Sequence, residues 1–174
     1  MVGQSPTRSK MVLLSLYKSL VRPHLEYCCP GWSPQYEKDK ALLERVQHRF
    51  FRMVPGLSEL SYEERLQLRI WSSEERRNKA DLIEVFNISR GLSKIPFNTF
   101  FEVSQDSRTR GNVLKMVKHR QRLDIRKHFF AERAVNRRNK QHRLSQKAVE
   151  QQSLNGFKNE LTRLGNAQMD FYMD

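Results

Sequence analysis

Between residues 107 and 147, 14 lysines and arginines stand against 2 acids, a net +12 out of +13 for all 174 residues. Charge at that density opposes compaction by self-repulsion unless a polyanion is bound, so this window reads either as a polyanion-binding segment or as a merely basic, poorly folded tail. Phosphate backbones and anionic membrane surfaces are the two polyanions that such a field attracts. The other segments are nearly balanced: residues 1–106 carry 16 basic residues against 13 acids, and residues 148–174 carry 2 against 4. Apolar residues make up 38% of the chain, below the ~45–50% usual for globular proteins, so any core is small.

Outside the basic window the pattern is helical. Leu13, Leu16, Tyr17, Leu20 and Val21 recur at helical spacing and predict one apolar stripe, with a kink or stop at Arg22 imposed by Pro23. A second helix is expected over 39–54, with Leu43, Val46, Phe50 and Met53 buried and Pro55-Gly56 ending it. Arg45, Arg49 and Arg52 line a neighbouring face of that helix. They read either as a solvated row with Glu44 as local partner or as phosphate ligands.

Ser61-x-x-Glu64 and Ser72-x-x-Glu75 are capping boxes, each opening a helix; the second should run to Ser89 or Arg90 and stop at Gly91. Glu74, Glu75, Arg76 and Arg77 then belong to a first helical turn rather than to a catalytic centre. From Gly91 to Gly111 periodicity fades, which marks a linker, although Phe97, Phe100 and Phe101 must pack somewhere.

Inside the basic window the period changes. Leu114, Met116, Leu123 and Ile125 alternate with Lys115, Arg122, Asp124 and Arg126 about a polar centre at His119-Arg-Gln121, which predicts a β-hairpin. Residues 129–139 look helical, and a last helix begins near Ser153 with Leu154, Phe157, Leu161 and Leu164 as its stripe. The expected fold is therefore mainly α: a helical bundle over 9–90, a linker over 91–111, a small basic α+β hairpin-plus-helix module over 112–165, and a tail over 166–174.

The segments Leu16-Tyr-Lys-Ser-Leu-Val-Arg-Pro-His-Leu-Glu-Tyr27, Trp32-Ser-Pro34, Glu44-Arg-Val-Gln-His-Arg-Phe-Phe-Arg-Met-Val54, Leu60-Ser-Tyr-Glu-Glu-Arg-Leu66 and Asp81-Leu-Ile-Glu-Val-Phe86, in that order, carry a resemblance. With Ser107-Arg-Thr-Arg-Gly111 and Phe157-Lys-Asn159, they resemble the region after the polymerase palm in reverse transcriptases of LINE-type (non-LTR) retrotransposons. The resemblance covers about 13–164 and implies a piece of an element-encoded RNA-directed DNA polymerase that handles RNA and DNA. Where that family has Val-Asn-x-Trp-Asn, this chain reads Val135-Asn-Arg-Arg138-Asn139, and Gly156 stands where the pattern favours Ala.

Polymerase chemistry itself is not expected. A palm holds two divalent ions on aspartates, magnesium in the parent family, to stabilise the attacking and leaving oxygens. Here the six aspartates are scattered singly, and no Asp-Asp pair, Gly-rich phosphate loop, Gly-x-Ser-x-Gly elbow or His-Glu-x-x-His pair occurs. His24, Cys28 and Cys29 lack a second cluster to complete a zinc set, so no cofactor is expected. The adjacent Cys28 and Cys29 point to a reducing compartment, and neither a signal peptide nor a membrane span is read, so the expected location is the nucleus or cytoplasm.

The expected partner is RNA or DNA, held through its phosphates by Arg108, Arg110, Lys115, Lys118, Arg120, Arg122, Arg126, Lys127, Arg133, Arg137 and Arg138, with Arg45, Arg49 and Arg52 as outlying candidates. A palm domain supplied by another chain is a further partner that the resemblance implies. The alternative is a structural or protein-interaction fragment, or a decayed element copy with no role of its own, whose mark would be an exposed apolar face around Leu13, Leu16, Leu20 and Val21.

Overall fold

The computed structural model describes residues 6–54, 56–61, 64, 68, 70–104, 115–139, 144 and 146–167. Its contacts divide the chain into two compact units, 1–76 and 77–174, with the division inside one long helix.

In the first unit, α1 (Pro6–Leu16) runs through a π-helical segment, Tyr17–Val21, into α2 (Arg22–Glu26). Pro23 does not stop the helix. It lacks an N–H and its ring crowds the carbonyl four residues back, and the wider π turn just upstream accommodates both. Of the expected stripe Tyr17 is buried, as is Leu14 beside it, whereas Leu16 and Leu20, expected inside, are 47% and 61% exposed. A left-handed Cys28 (φ 52°) then leads into the short α3 (Cys29–Trp32).

Helix α4 (Glu37–Met53) places Glu37 and Asp39 at its positive end and Arg52 at its negative end, as the helix dipole favours. Its buried residues are Gln47 and Phe51, while Val46 and Met53 of the expected stripe are exposed. Phe51, Val54, Leu57, Ile70 and Leu14 form the core of this unit, with Tyr17 stacked on Phe50 at 4.4 Å. Gly56 takes a positive φ of 74° just past the helix, at the stop read from Pro55-Gly56.

Gln47 is buried because every polar atom on its amide is engaged. Its Oε1 accepts from the Tyr17 hydroxyl (3.0 Å) and from Arg76 Nη2 (2.7 Å), and its Nε2 donates to the Trp71 carbonyl (3.1 Å) and Glu44 (3.2 Å). Arg76 also pairs with Glu26 at Oε1, an oxygen it shares with Arg22 Nε (3.0 Å), while Arg22 Nη2 donates to Oε2 (3.2 Å). Burial opposes ionisation of Glu26, but the hydrogen bonds and charges of Arg22 and Arg76 outweigh it and hold the carboxyl below its ordinary pKa.

Both capping boxes form. Ser61 N–H donates to Glu64 at 2.7 Å and Glu64 N–H to Ser61 Oγ at 3.3 Å; the Ser72–Glu75 pair repeats this at 2.8 and 3.1 Å. The second box opens α5 (Ser73–Ser89), which ends where Gly91 takes a positive φ of 66°.

The second unit is built on α5, α7 (Phe130–Asn139) and α9 (Leu154–Ala167), with α6 (Asp124–Lys127) and α8 (Gln146–Val149) as single turns. Val85, Ile88, Phe101, Met116, Ala134 and Val135 form one buried cluster, and Phe86 stacks on Phe157 at 4.4 Å. The segment after Gly91 supplies part of this core: a 3₁₀ turn at Phe97–Thr99 brings Phe97 and Phe101 together, and Phe130 meets Phe101 at 5.9 Å.

The expected β-hairpin, and with it the α+β module, is contradicted: the chain is mainly helical, with no strand or sheet among the described residues. Met116 makes one isolated antiparallel bridge to Val103, and residues 105–114, which include Leu114, lie outside the described residues. The second arm is helical at α6, where Asp124 in the first turn and Arg126 and Lys127 in the last complement the helix dipole. Aspartate is a poor strand former. Leu123 and Ile125 are 62% and 63% exposed, so the period-two pattern has no sheet face to fill.

Candidate nucleic-acid interface

Two polar clamps set the position of α7 within the second unit. In the first, Asp81 of α5, fully buried, accepts from Arg133 Nε (2.7 Å) and Nη2 (3.0 Å) and from Arg137 Nη1 (2.9 Å). Arg133 and Arg137 lie one helical turn apart, so a single carboxylate holds both guanidinium groups, one of them bidentately. In the second, the Asn139 amide donates to the Met116 carbonyl (2.6 Å) and accepts from the Met116 N–H (3.1 Å). That side chain supplies the pairing a neighbouring strand would otherwise give, and it ties the extended segment 115–118 to the end of α7.

Between those elements lies an open groove of about 680 Å³, lined by Lys115, Lys118, Lys127, His128, Arg133, Asn136 and Asn139. No acid is among the described residues that line it. Arg133 shares Asp81, so much of its charge is spent inside the fold. Lys127 has an exposed partner, Asp124 at 3.0 Å, and a solvated pair of that kind contributes little. Lys127 holds the Asp124 carboxyl below its ordinary pKa.

Of the candidates named from sequence, Lys115, Lys118, Lys127 and Arg133 meet in this groove. Arg120, Arg122 and Arg126 are exposed on the same stretch of chain without lining it. Arg137 and Arg138 are buried, at 8% and 4% exposure, and serve the interior. Arg108 and Arg110 lie outside the described residues, and Arg45, Arg49 and Arg52 are exposed along α4 in the first unit.

His128, Asn136 and Asn139 are not among the phosphate ligands expected from sequence, all of which are arginines and lysines. A helical reading of 129–139 puts Arg133, Asn136 and Asn139 at successive spacings of three on one side of the helix. That periodicity was the available signal.

Arg138 is the electrostatic exception. Its Nε finds no hydrogen-bond partner, and burial, with repulsion from Arg90, pushes its pKa down to about 10. Among the described residues there is no group of three or more His, Cys, Asp or Glu side chains able to hold a metal. Nor is any described helix long and apolar enough to cross a membrane. Comparison with protein-family models, with curated proteins and with solved structures yields no match to this chain.

Proposed function

We propose that this chain is a non-catalytic nucleic-acid-binding fragment, equivalent to the post-palm region of a LINE-type reverse transcriptase, which grips RNA or DNA by its phosphates. The groove walled by Lys115, Lys118 and Lys127 supports this reading, because it brings these cations together on one wall. Arg120, Arg122 and Arg126 extend the positive surface along the same segment. Contacts of this kind hold a backbone in place without reading sequence.

Six such contacts give a slope of log K against log[salt] of about −5 on duplex DNA and about −4 on a single strand. An anisotropy titration from 50 to 200 mM salt measures this slope directly. Tight binding with a flat salt dependence overturns the reading, as does no binding at the lowest salt.

A second reading, a protein-interaction fragment, has its own observation. Met11, Val12, Leu16 and Leu20 are exposed on the first helical segment, and Met11, Val12, Ser15, Leu16 and Ser19 border a shallow depression of about 300 Å³. A palm domain on another chain is the partner this reading would supply. Strong amide-exchange protection of that face in the isolated monomer contradicts it.

A further inference from the structure

Phe129 and Phe130 are neighbours with opposite fates. Phe130 is half-buried, packs edge-on against Phe100 and Phe101 at 5.9 Å, and carries the Arg133 guanidinium over its ring. Phe129 is 59% exposed, and no aromatic ring or guanidinium packs on it among the described residues. It directly follows Lys127 and His128, two residues of the groove wall, so its Cα lies about 3.8 Å from that of His128.

Phe129 does not itself line the groove, but an exposed ring one residue from its cationic wall is within reach of a strand that follows that wall with its bases unpaired. The cations track the backbone while the π face accepts a base, whatever its identity. In a duplex the bases are already stacked on one another and offer no free face. Resting on the nucleic-acid reading above, we propose that Phe129 is a stacking platform and that the groove takes single-stranded RNA or DNA in preference to duplex.

An anionic membrane is the competing polyanion, since Leu123 and Ile125 are also exposed. The geometry disfavours it. A surface-lying helix presents one continuous apolar face to the bilayer, whereas α6 is a single turn and the cations beside it line a concavity.

The test compares wild type, Phe129→Ala and Phe129→Trp on a fluorescein-labelled single-stranded oligonucleotide, its duplex, and vesicles containing phosphatidylserine. Because Phe129 is exposed, circular dichroism of all three proteins should coincide. Phe129→Ala should weaken single-strand binding about 5- to 150-fold, leave the salt slope and duplex affinity unchanged, and be rescued by Phe129→Trp. Salt-dependent binding that ignores Phe129, or falls equally on both oligonucleotides, overturns the stacking role and leaves the phosphate grip standing. A Phe129-dependent loss confined to vesicles overturns it in favour of a membrane. Wild type that binds neither oligonucleotide at low salt defeats the nucleic-acid reading itself, and the stacking role with it.

Discussion

Replacing Arg138 with methionine should make this protein more stable. The Arg138 guanidinium is 4% exposed, its Nε has no acceptor, and the charge influencing it is another cation, Arg90. Its pKa falls from the ordinary arginine value to about 10, which corresponds to roughly 3 kcal/mol held against folding at neutral pH. Methionine keeps an unbranched stem of similar reach and removes the charge, and swaps of buried charge for apolar volume stabilise by about 1–4 kcal/mol. Urea unfolding followed by circular dichroism at pH 7 gives the difference directly.

The pH dependence supplies an independent check. Because the folded-state pKa is depressed, the unfolded chain holds this proton more tightly. The penalty is therefore fully present below about pH 10 and is relieved as pH rises from there towards the unfolded value. The stability gap between variant and wild type should be flat from pH 6 to 9 and narrow above pH 10. A variant less stable than wild type by 1 kcal/mol or more would show that the guanidinium is satisfied in the fold and would refute the reasoning.

Removing Asp81 strands the charges of Arg133 and Arg137, so Asp81→Ala should lower stability by about 3–5 kcal/mol in the same denaturation assay. Asn139→Ala removes both bonds to Met116 and should cost about 1–3 kcal/mol. Because it removes one attachment of the segment bearing Lys115 and Lys118, leaving the bridge to Val103, it should also weaken oligonucleotide binding with no change in net charge. The depressed pKa of Glu26 means that its contribution is present above the ordinary carboxylate pKa and lost as pH falls through the folded value. Glu26→Gln should accordingly flatten the acid limb of a thermal-melt pH series.

Helix starts and stops were readable because they depend on local chemistry. Ser72, Glu75, Gly56 and Gly91 act as their residue types dictate. Which face of a helix is buried was less readable, because it depends on partners distant in sequence. Gln47 lies inside since Tyr17, Trp71 and Arg76 satisfy its amide, and no periodicity of apolar residues announces a buried glutamine. The hairpin was misread for a related reason. Alternation around Leu123 and Ile125 resembles a strand, but a strand needs a neighbour, and the Asn139 side chain pairs with Met116 instead. Arg138 is buried although its residue type marks it for the surface, so composition alone could not place it inside. Within the basic window, charge density located the groove, while Arg133, Arg137 and Arg138 show that density does not separate cations facing water from those turned inward.

Whether the groove lysines hold phosphates is read from the double reversal Lys118→Glu with Lys127→Glu, by anisotropy on a single-stranded oligonucleotide across a salt series. Both side chains are exposed, so the helical signal should not change. The predicted result is weaker binding at low salt, with the slope of log K against log[salt] shallower by about 2. Unchanged affinity and slope in a folded variant would contradict the account.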